Sequence, residues 1–236
     1  MRFGTIAILP ITIAALAACD TGGDTGGNVG VSAPASAPAS AQMPAEPAAR
    51  APVPMTTNDA SLLAEPTWAV LFSGQDLTAF SQIGGANWRL GNGTVMADDG
   101  EPPGFLVTKG AFTDFHIRVE FQASSQTNSG IFIRCADPNV VSAEVCYEIN
   151  IFDENQNAAN RTGAIVNHAP PAVSVTAGDA WNTLEIMAEG AHLTVRMNGT
   201  VTADYVDPEN EHASGHIGLQ YNGGPIRFRD VRIRPL

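Results

Sequence analysis

The chain has 236 residues, with 12 Lys and Arg set against 24 Asp and Glu for a formal net charge of −12. Affinity for a nucleic-acid backbone comes from cationic neutralisation of phosphates, so this balance argues against that class of partner. The 44% hydrophobic content is that of a globular chain, but it is unevenly spread, and the unevenness sets the domain organisation.

Residues 1–18, MRFGTIAILPITIAALAA, place Arg2 ahead of an apolar run and end on small side chains. This is the form of a secretory signal, and it is too short for a membrane span. Leu16-Ala17-Ala18-Cys19 also resembles the lipobox of bacterial lipoproteins, in which the cysteine becomes the acylated first residue of the mature chain. Acylation by several chains would anchor the protein stably, because each buried methylene contributes about 0.8 kcal/mol. The expectation is an exported protein, tethered to the membrane of the bacterial cell envelope through Cys19 and facing the periplasm. Residues 19–66 are rich in Ala, Pro, Gly and Ser, as in SAPASAPASAQMPAEPAARAPVPM. Such a segment buries too little apolar area to offset its ordering entropy and reads as a disordered linker. Residues 67–236 are left as one domain with a full core.

Within that domain, Asn92-Gly93 in WRLGNGTVMA and Asn198-Gly199 in LTVRMNGTVTADYV each split two apolar runs. Asn-Gly suits a type I′ turn because both central residues need positive φ. With Glu189-Gly190-Ala191 ahead of it, the second turn predicts a three-stranded meander over residues 180–206. Alternation in FHIRVEFQ puts Phe115, Ile117, Val119 and Phe121 on one face and His116, Arg118, Glu120 and Gln122 on the other. No long segment has a helical period. Many short alternating strands with Gly-rich turns predict an all-β fold, an antiparallel two-sheet jelly-roll sandwich.

Three strands carry polar residues where a buried sheet wants valine. In NSGIFIRC, period two puts Ile131 and Ile133 on the core side, with Gly130, Phe132 and Arg134 opposite. In YEINIF the core takes Tyr147, Ile149 and Ile151, leaving Glu148, Asn150 and Phe152 on the other face; in HIGLQYN it takes Ile217, Leu219 and Tyr221, leaving His216, Gly218, Gln220 and Asn222. The polar face so predicted gathers Arg134, Glu148, Asn150 and Gln220, with His116 and Glu120 as further candidates. A solvated outer face alternates in the same way. This one, however, mixes Arg, Glu, Asn and Gln with Gly and Phe, side chains that fix polyol hydroxyls directionally and offer an apolar surface to a sugar ring. Cys135 and Cys146 stand at the two ends of the turn between the first two strands. In an exported protein they are expected to pair and pin the register, whereas a zinc site would need a second Cys pair or a nearby His.

The segments WAVLFSGQDLTAF, ANWRLGNGTVMADDG, NSGIFIR, YEINIFD, TGAI and GHIGLQYNGGPIRFRDVRIRPL, in that order, resemble the 3-keto-disaccharide hydrolase domain family over essentially all of residues 68–236. The resemblance implies a concanavalin A-like jelly roll and activity on glycosides whose glucose unit has been oxidised at carbon 3. The chain departs from the family pattern at Asn150, where Gln is frequent, and after the GLQ segment, where a frequent His gives way to Tyr221-Asn222-Gly223.

A ketone at carbon 3 acidifies the carbon 2 proton and disfavours an oxocarbenium ion at carbon 1, so ordinary two-carboxylate hydrolysis is not the expected route. Removal of the carbon 2 proton, followed by expulsion of the aglycone from carbon 1 and optional water addition, needs a base, an electrophile at the ketone oxygen and an acid for the leaving group. Glu148 is the first candidate base and Asp153 the second. Arg134 is expected beside Glu148 to orient it, and either Arg134 or a bound divalent metal ion would polarise the ketone. Asn128, Asn150, Gln220 and Asn222 are candidates to hold hydroxyls, and Trp88 and His168 complete the candidate substrate-binding set. The plain alternatives are a self-satisfied Arg134–Glu148 cross-strand pair, Asp153 as a turn residue, His168 as a surface loop residue, and Trp88 and Trp181 as core or staple aromatics. A second reading of the whole domain is a non-catalytic, lectin-like carbohydrate-binding module on the envelope.

Overall fold

The computed structural model describes residues 67–236; the leader, Cys19 and the linker lie outside the described residues. Alternating apolar runs become thirteen strands: β1 Ala69–Phe72, β2 Phe80–Ala86, β3 Arg89–Gly91, β4 Thr94–Ala97, β5 Gly100–Thr108, β6 Phe115–Ala123, β7 Ser129–Cys135, β8 Tyr147–Ile151, β9 Trp181–Glu189, β10 His192–Met197, β11 Thr200–Val206, β12 His216–Tyr221 and β13 Ile226–Pro235. They form an eight-stranded sheet in the order β11-β10-β9-β6-β13-β4-β3, with β1 also on β13, and a five-stranded sheet in the order β2-β5-β12-β7-β8. This is the two-sheet sandwich that the alternation predicts, with every pairing antiparallel.

The hairpin residues adopt the conformations their chemistry allows. Asn92 and Gly93 have φ of 52° and 74°, and Asn198 and Gly199 have 50° and 81°, the doubly positive pattern of a type I′ turn. Between the sheets, Phe115, Ile117, Val119 and Phe121 of β6 join Ile131, Ile133, Tyr147 and Ile149 of β7 and β8 in one core. Because β6 belongs to the large sheet, its alternate residues His116 and Glu120 emerge on that sheet's outer face and do not join Glu148. Trp88 belongs to the core, its ring 6.3 Å from that of Phe228, so it does not line a sugar site. Trp181 departs from the core expectation the other way: it lies on the outer face beneath the Arg229 guanidinium, 3.9 Å from the ring centroid.

A second apolar cluster sits on the far side of the five-stranded sheet, where Phe105, Val107, Phe132, Cys135 and Cys146 pack with Ile83 and Val141. The Cys135–Cys146 disulfide draws the connection between β7 and β8 back over this face. A Cβ built on Gly218 would meet Val141 at 3.6 Å. Replacing both cysteines with serine removes a cross-link between residues 11 apart and should lower unfolding stability by about 2–3 kcal/mol. Urea titration checks this, and an unchanged midpoint would show that the closure contributes nothing.

Candidate functional site

The small sheet's outer face is laid out by strand register. Val107, Gly218, Phe132 and Glu148 form one row across β5, β12, β7 and β8, and Phe105, Gln220, Gly130 and Asn150 form the next. One half of the face is therefore apolar and the other is amide and carboxylate. Gly130 lies between the polar groups, and any side chain there would intrude: a Cβ would come within 3.1 Å of Glu148 Oε1 and 3.4 Å of Gln220 Oε1. The missing side chain is what lets these two groups converge over one patch of backbone.

Glu148 is the electrostatic centre of this patch. Burial pushes its carboxyl up from the ordinary 4.5 to about 7, and the negative charge of Glu144, on the disulfide-closed connection, pushes the same way. The neighbouring amides are equally unsettled. Gln220 Oε1 and Asn150 Oδ1 are both buried without a hydrogen-bond partner, a costly condition for polar atoms unless a ligand satisfies them. Asn150 is held by its other end, where Nδ2 donates to the Asn160 carbonyl in the connection beyond β8. Asn128 and Asn222 extend the polar half along β7 and β12: the Asn222 N–H donates to the Asn128 carbonyl at 3.0 Å and the Asn128 N–H to Gly223 at 2.8 Å. Four of the predicted residues, Glu148, Asn150, Gln220 and Asn128, thus fall on one face, with Asn222 at its end.

Arg134 does not join them. Its φ is 58°, and the pairing of β12 with β7 shifts register between His216/Cys135 and Gly218/Phe132, so a bulge breaks the alternation one residue before the strand ends. The fully buried guanidinium donates to the Thr113 carbonyl at 2.8 and 3.0 Å, the Gly190 carbonyl at 2.6 Å and the His212 carbonyl at 3.3 Å, and pairs with Asp114 at 3.2 Å. It ties three loops together at the sandwich rim, and the expected Arg134–Glu148 pair is not formed. Asp153 is similarly engaged, accepting from Thr162 Oγ1 at 2.5 Å and the Ala177 N–H at 2.9 Å; it fastens the loops between β8 and β9. His168 packs edge-on against Tyr147, 5.3 Å between ring centroids, and Tyr147 leaves β8 on the face opposite Glu148. The Tyr147 hydroxyl, raised to about 12 chiefly by burial and then by its hydrogen bond to Asp207, stays protonated there.

Of the apolar half of the face, Phe132 is expected from the alternation of β7, but Phe105 and Val107 escaped sequence reading. Their signal is the unbroken run Phe105-Leu106-Val107, which marks a strand buried on both faces. Phe105 and Phe132 meet edge to face with centroids 5.4 Å apart. Among the described residues, no three His, Cys, Asp or Glu side chains gather as a metal would require. The oxygens of Glu148, Asn150 and Gln220 are the kind of donors a hard cation takes, not a zinc set.

Lys at position 134 supplies one ammonium where a planar fork now serves three carbonyls. Arg134→Lys should therefore cost about 3 kcal/mol of stability, read by denaturant unfolding, while the folded fraction keeps its activity. A stable but inactive variant would restore Arg134 to the chemistry.

The 3-keto-alpha-glucoside-1,2-lyase-like domain family matches residues 67–234. Among solved structures, a Parabacteroides distasonis protein described as a candidate glycosyl hydrolase superposes with a TM-score of 0.62 at 25% identity, covering 72% of this chain and 100% of that one. A second protein of the same description and organism gives 0.62 at 16% identity, covering 77% and 98%. The carbohydrate-binding module CBM66 of Bacillus subtilis shares the fold, with a TM-score of 0.52 at 13% identity over 66% of this chain and 96% of that one. Among curated proteins none matches.

Proposed function

The chain belongs to the 3-keto-alpha-glucoside-1,2-lyase-like family, and from that premise we propose that it cleaves glycosides whose glucose unit is oxidised at carbon 3. The observation that carries the reading is Glu148, a carboxyl raised to about 7 beside buried amide oxygens without partners. Such a group is poised to exchange a proton at neutral pH. Glu148 as carboxylate takes the proton from carbon 2, the electrons pass into the enolate at carbons 2 and 3, and the enolate expels the aglycone oxygen from carbon 1. The departing oxygen leaves with a proton from protonated Glu148 or from water. Loss of the aglycone alone gives the unsaturated ketosugar, and addition of water at carbon 1 gives the free 3-keto sugar. Gln220 and Asn150 hold the hydroxyls and the ketone oxygen, Asn128 and Asn222 reach the next sugar, and Phe132 with Phe105 offers an apolar surface to the ring. A divalent cation would be held by Glu148, Asn150 and Gln220 and would supply charge to stabilise the enolate. The leader and Cys19 would place this activity at the envelope membrane.

The second reading is a lectin-like binding module. It is favoured by the residue following Gln220, Tyr221, which is buried in the core and so brings no titratable group to the site at this position.

Incubation of the protein with a 3-keto-glucoside or 3-keto-trehalose should release sugar. Glu148→Gln should lower kcat by about 10²–10⁴, the usual contribution of a general base, while leaving binding intact. Binding by the wild type without turnover, with or without added Mn²⁺ or Ca²⁺, would leave only the lectin-like reading standing.

The pH profile has a fixed sign. As a base, Glu148 must be ionised, so kcat/KM should rise with pH through about 7. Stability runs the other way. The folded pKa lies above the unfolded value, so the folded chain holds the extra proton between pH 4.5 and about 7, and stability falls as pH rises through that window. Glu148→Gln should accordingly stabilise the protein by as much as about 3 kcal/mol at pH 8 and by little at pH 4.5, as thermal unfolding at the two pH values would read.

A further inference from the structure

Positive charge in this acidic chain collects on the outer face of the large sheet. β13 carries Arg227, Arg229, Arg232 and Arg234, and Arg89, Arg118 and Arg196 stand on β3, β6 and β10. Acidic neighbours compensate several of them. Arg229 pairs with Glu120 at 2.7 Å, Arg118 with Glu120 and Asp230 at 2.8 and 2.9 Å, and Arg232 with Asp230 at 2.5 Å. Arg227 differs, because the hydrogen bond it makes is to neutral Gln122 Oε1, at 3.3 Å. Its exposed guanidinium borders a groove of about 300 Å³, lined also by Asn92, Thr94, Met96, Trp181 and Arg229, at the lower end of the size of small-ligand sites.

The groove is built rather than incidental. Register places Trp181, Gln122, Arg227 and Met96 in one row across β9, β6, β13 and β4. Arg229 is fixed over the indole at 3.9 Å on one side and by Glu120 on the other, so that ring and cation form a rigid wall. The Asn92-Gly93 hairpin also lines the groove through Asn92 and Thr94, the Thr94 hydroxyl donating to the Gly91 carbonyl at 2.8 Å. Indole and thioether give the apolar contact a sugar ring takes, Asn92 and Thr94 the neutral hydrogen bonds, and Arg227 a planar fork suited to a carboxylate or sulfate.

We propose that this groove is a second, non-catalytic site that binds a saccharide bearing an anionic substituent. It lies across the sandwich from Glu148, on the other sheet, so a chain held here leaves the small sheet's face open. The net charge of −12 repels a polyanion elsewhere, which confines binding to this face and makes it salt-sensitive. The proposal does not rest on the cleavage reaction.

The test uses the full chain carrying Glu148→Gln, titrated calorimetrically with oligogalacturonate, a sulfated oligosaccharide, a neutral gluco-oligosaccharide and phosphatidylglycerol vesicles. At least one of the anionic saccharides should bind, with an affinity that falls as NaCl rises. Arg227→Gln should weaken that binding on the order of tenfold, the loss expected for a charge-assisted contact, and Trp181→Ala should weaken it as well. Circular dichroism establishes that each variant is folded, and Arg227→Gln alone decides if Trp181→Ala is not. Binding of the uronate, the sulfate or both identifies the substituent and supports the site. The proposal is overturned if neither anionic saccharide binds, if Arg227→Gln binds as well as its parent, or if only phosphatidylglycerol vesicles are captured.

Discussion

A strand in a two-sheet sandwich can give only one face to the core, and the position of Glu148 on β8 follows from that constraint. Tyr147, Ile149 and Ile151 are committed to the interior, so Glu148 and Asn150 have no choice but the far side. There Asn150 donates to the Asn160 carbonyl beyond β8, and Glu144 on the disulfide-closed connection acts on the Glu148 carboxyl. The apolar alternates hold the strand with the whole energy of the core, and a carboxyl and an amide are thereby kept in a place neither would choose. A strand with less core would shed that cost by turning or slipping. This one cannot, since a one-residue slip would bury Glu148 and expose three large side chains.

Burial without a cation is what raises the Glu148 carboxyl. Had Arg134 stood beside Glu148, the pair would have satisfied itself and kept the carboxyl ionised well below neutral pH. The bulge at the end of β7 sends the guanidinium to the rim, where backbone carbonyls absorb its donors. Glu148 is left with burial and Glu144, both of which favour the proton. Two charged residues that look like partners in the sequence are thus separated, one at the rim among backbone carbonyls and one on the small sheet's outer face. Gly130 completes the division by letting Glu148 and Gln220 converge over its backbone, and Gln220 and Asn150 each keep a buried oxygen that no protein group satisfies.

Much of this was legible before the structure. The Asn-Gly turns, the meander and the faces of β6, β7, β8 and β12 all follow from period two and turn chemistry, and so do Glu148, Asn150 and Gln220 as companions on one face. The misreadings have physical causes of their own. Arg134 follows the alternation on paper, but a bulge is a property of the pairing between strands, and arginine, unlike Gly or Asn, gives no hint of the positive φ it adopts. His116 and Glu120 alternate correctly, yet periodicity cannot say which of two sheets a strand joins. Trp88 sits in the connection between β2 and β3, where no period applies, and Trp181 is placed on the outer face by its pairing with Gln122. Asp153 reads as a free carboxylate because its partners, Thr162 and Ala177, come from loops without any period.

The same two-faced geometry explains how charge is sorted in this chain. The small sheet turns outward with a carboxyl and amides, and the large sheet with arginines laddered against fewer acids. In a protein of strongly negative net charge such sorting cannot be solvation alone, since solvating a face needs polarity and not one sign. Glu120 bridges Arg118 and Arg229, and Asp230 bridges Arg118 and Arg232, so each acid serves two cations and the ladder retains a positive excess. Bridged arginines are stiff, because holding one side chain of a network fixes its neighbours at smaller entropic cost than forming separate pairs. A stiff cationic surface on which the Arg227 guanidinium bonds to a neutral amide is the arrangement that favours an anionic ligand over water, and it stands on the sheet face opposite the one that carries Glu148.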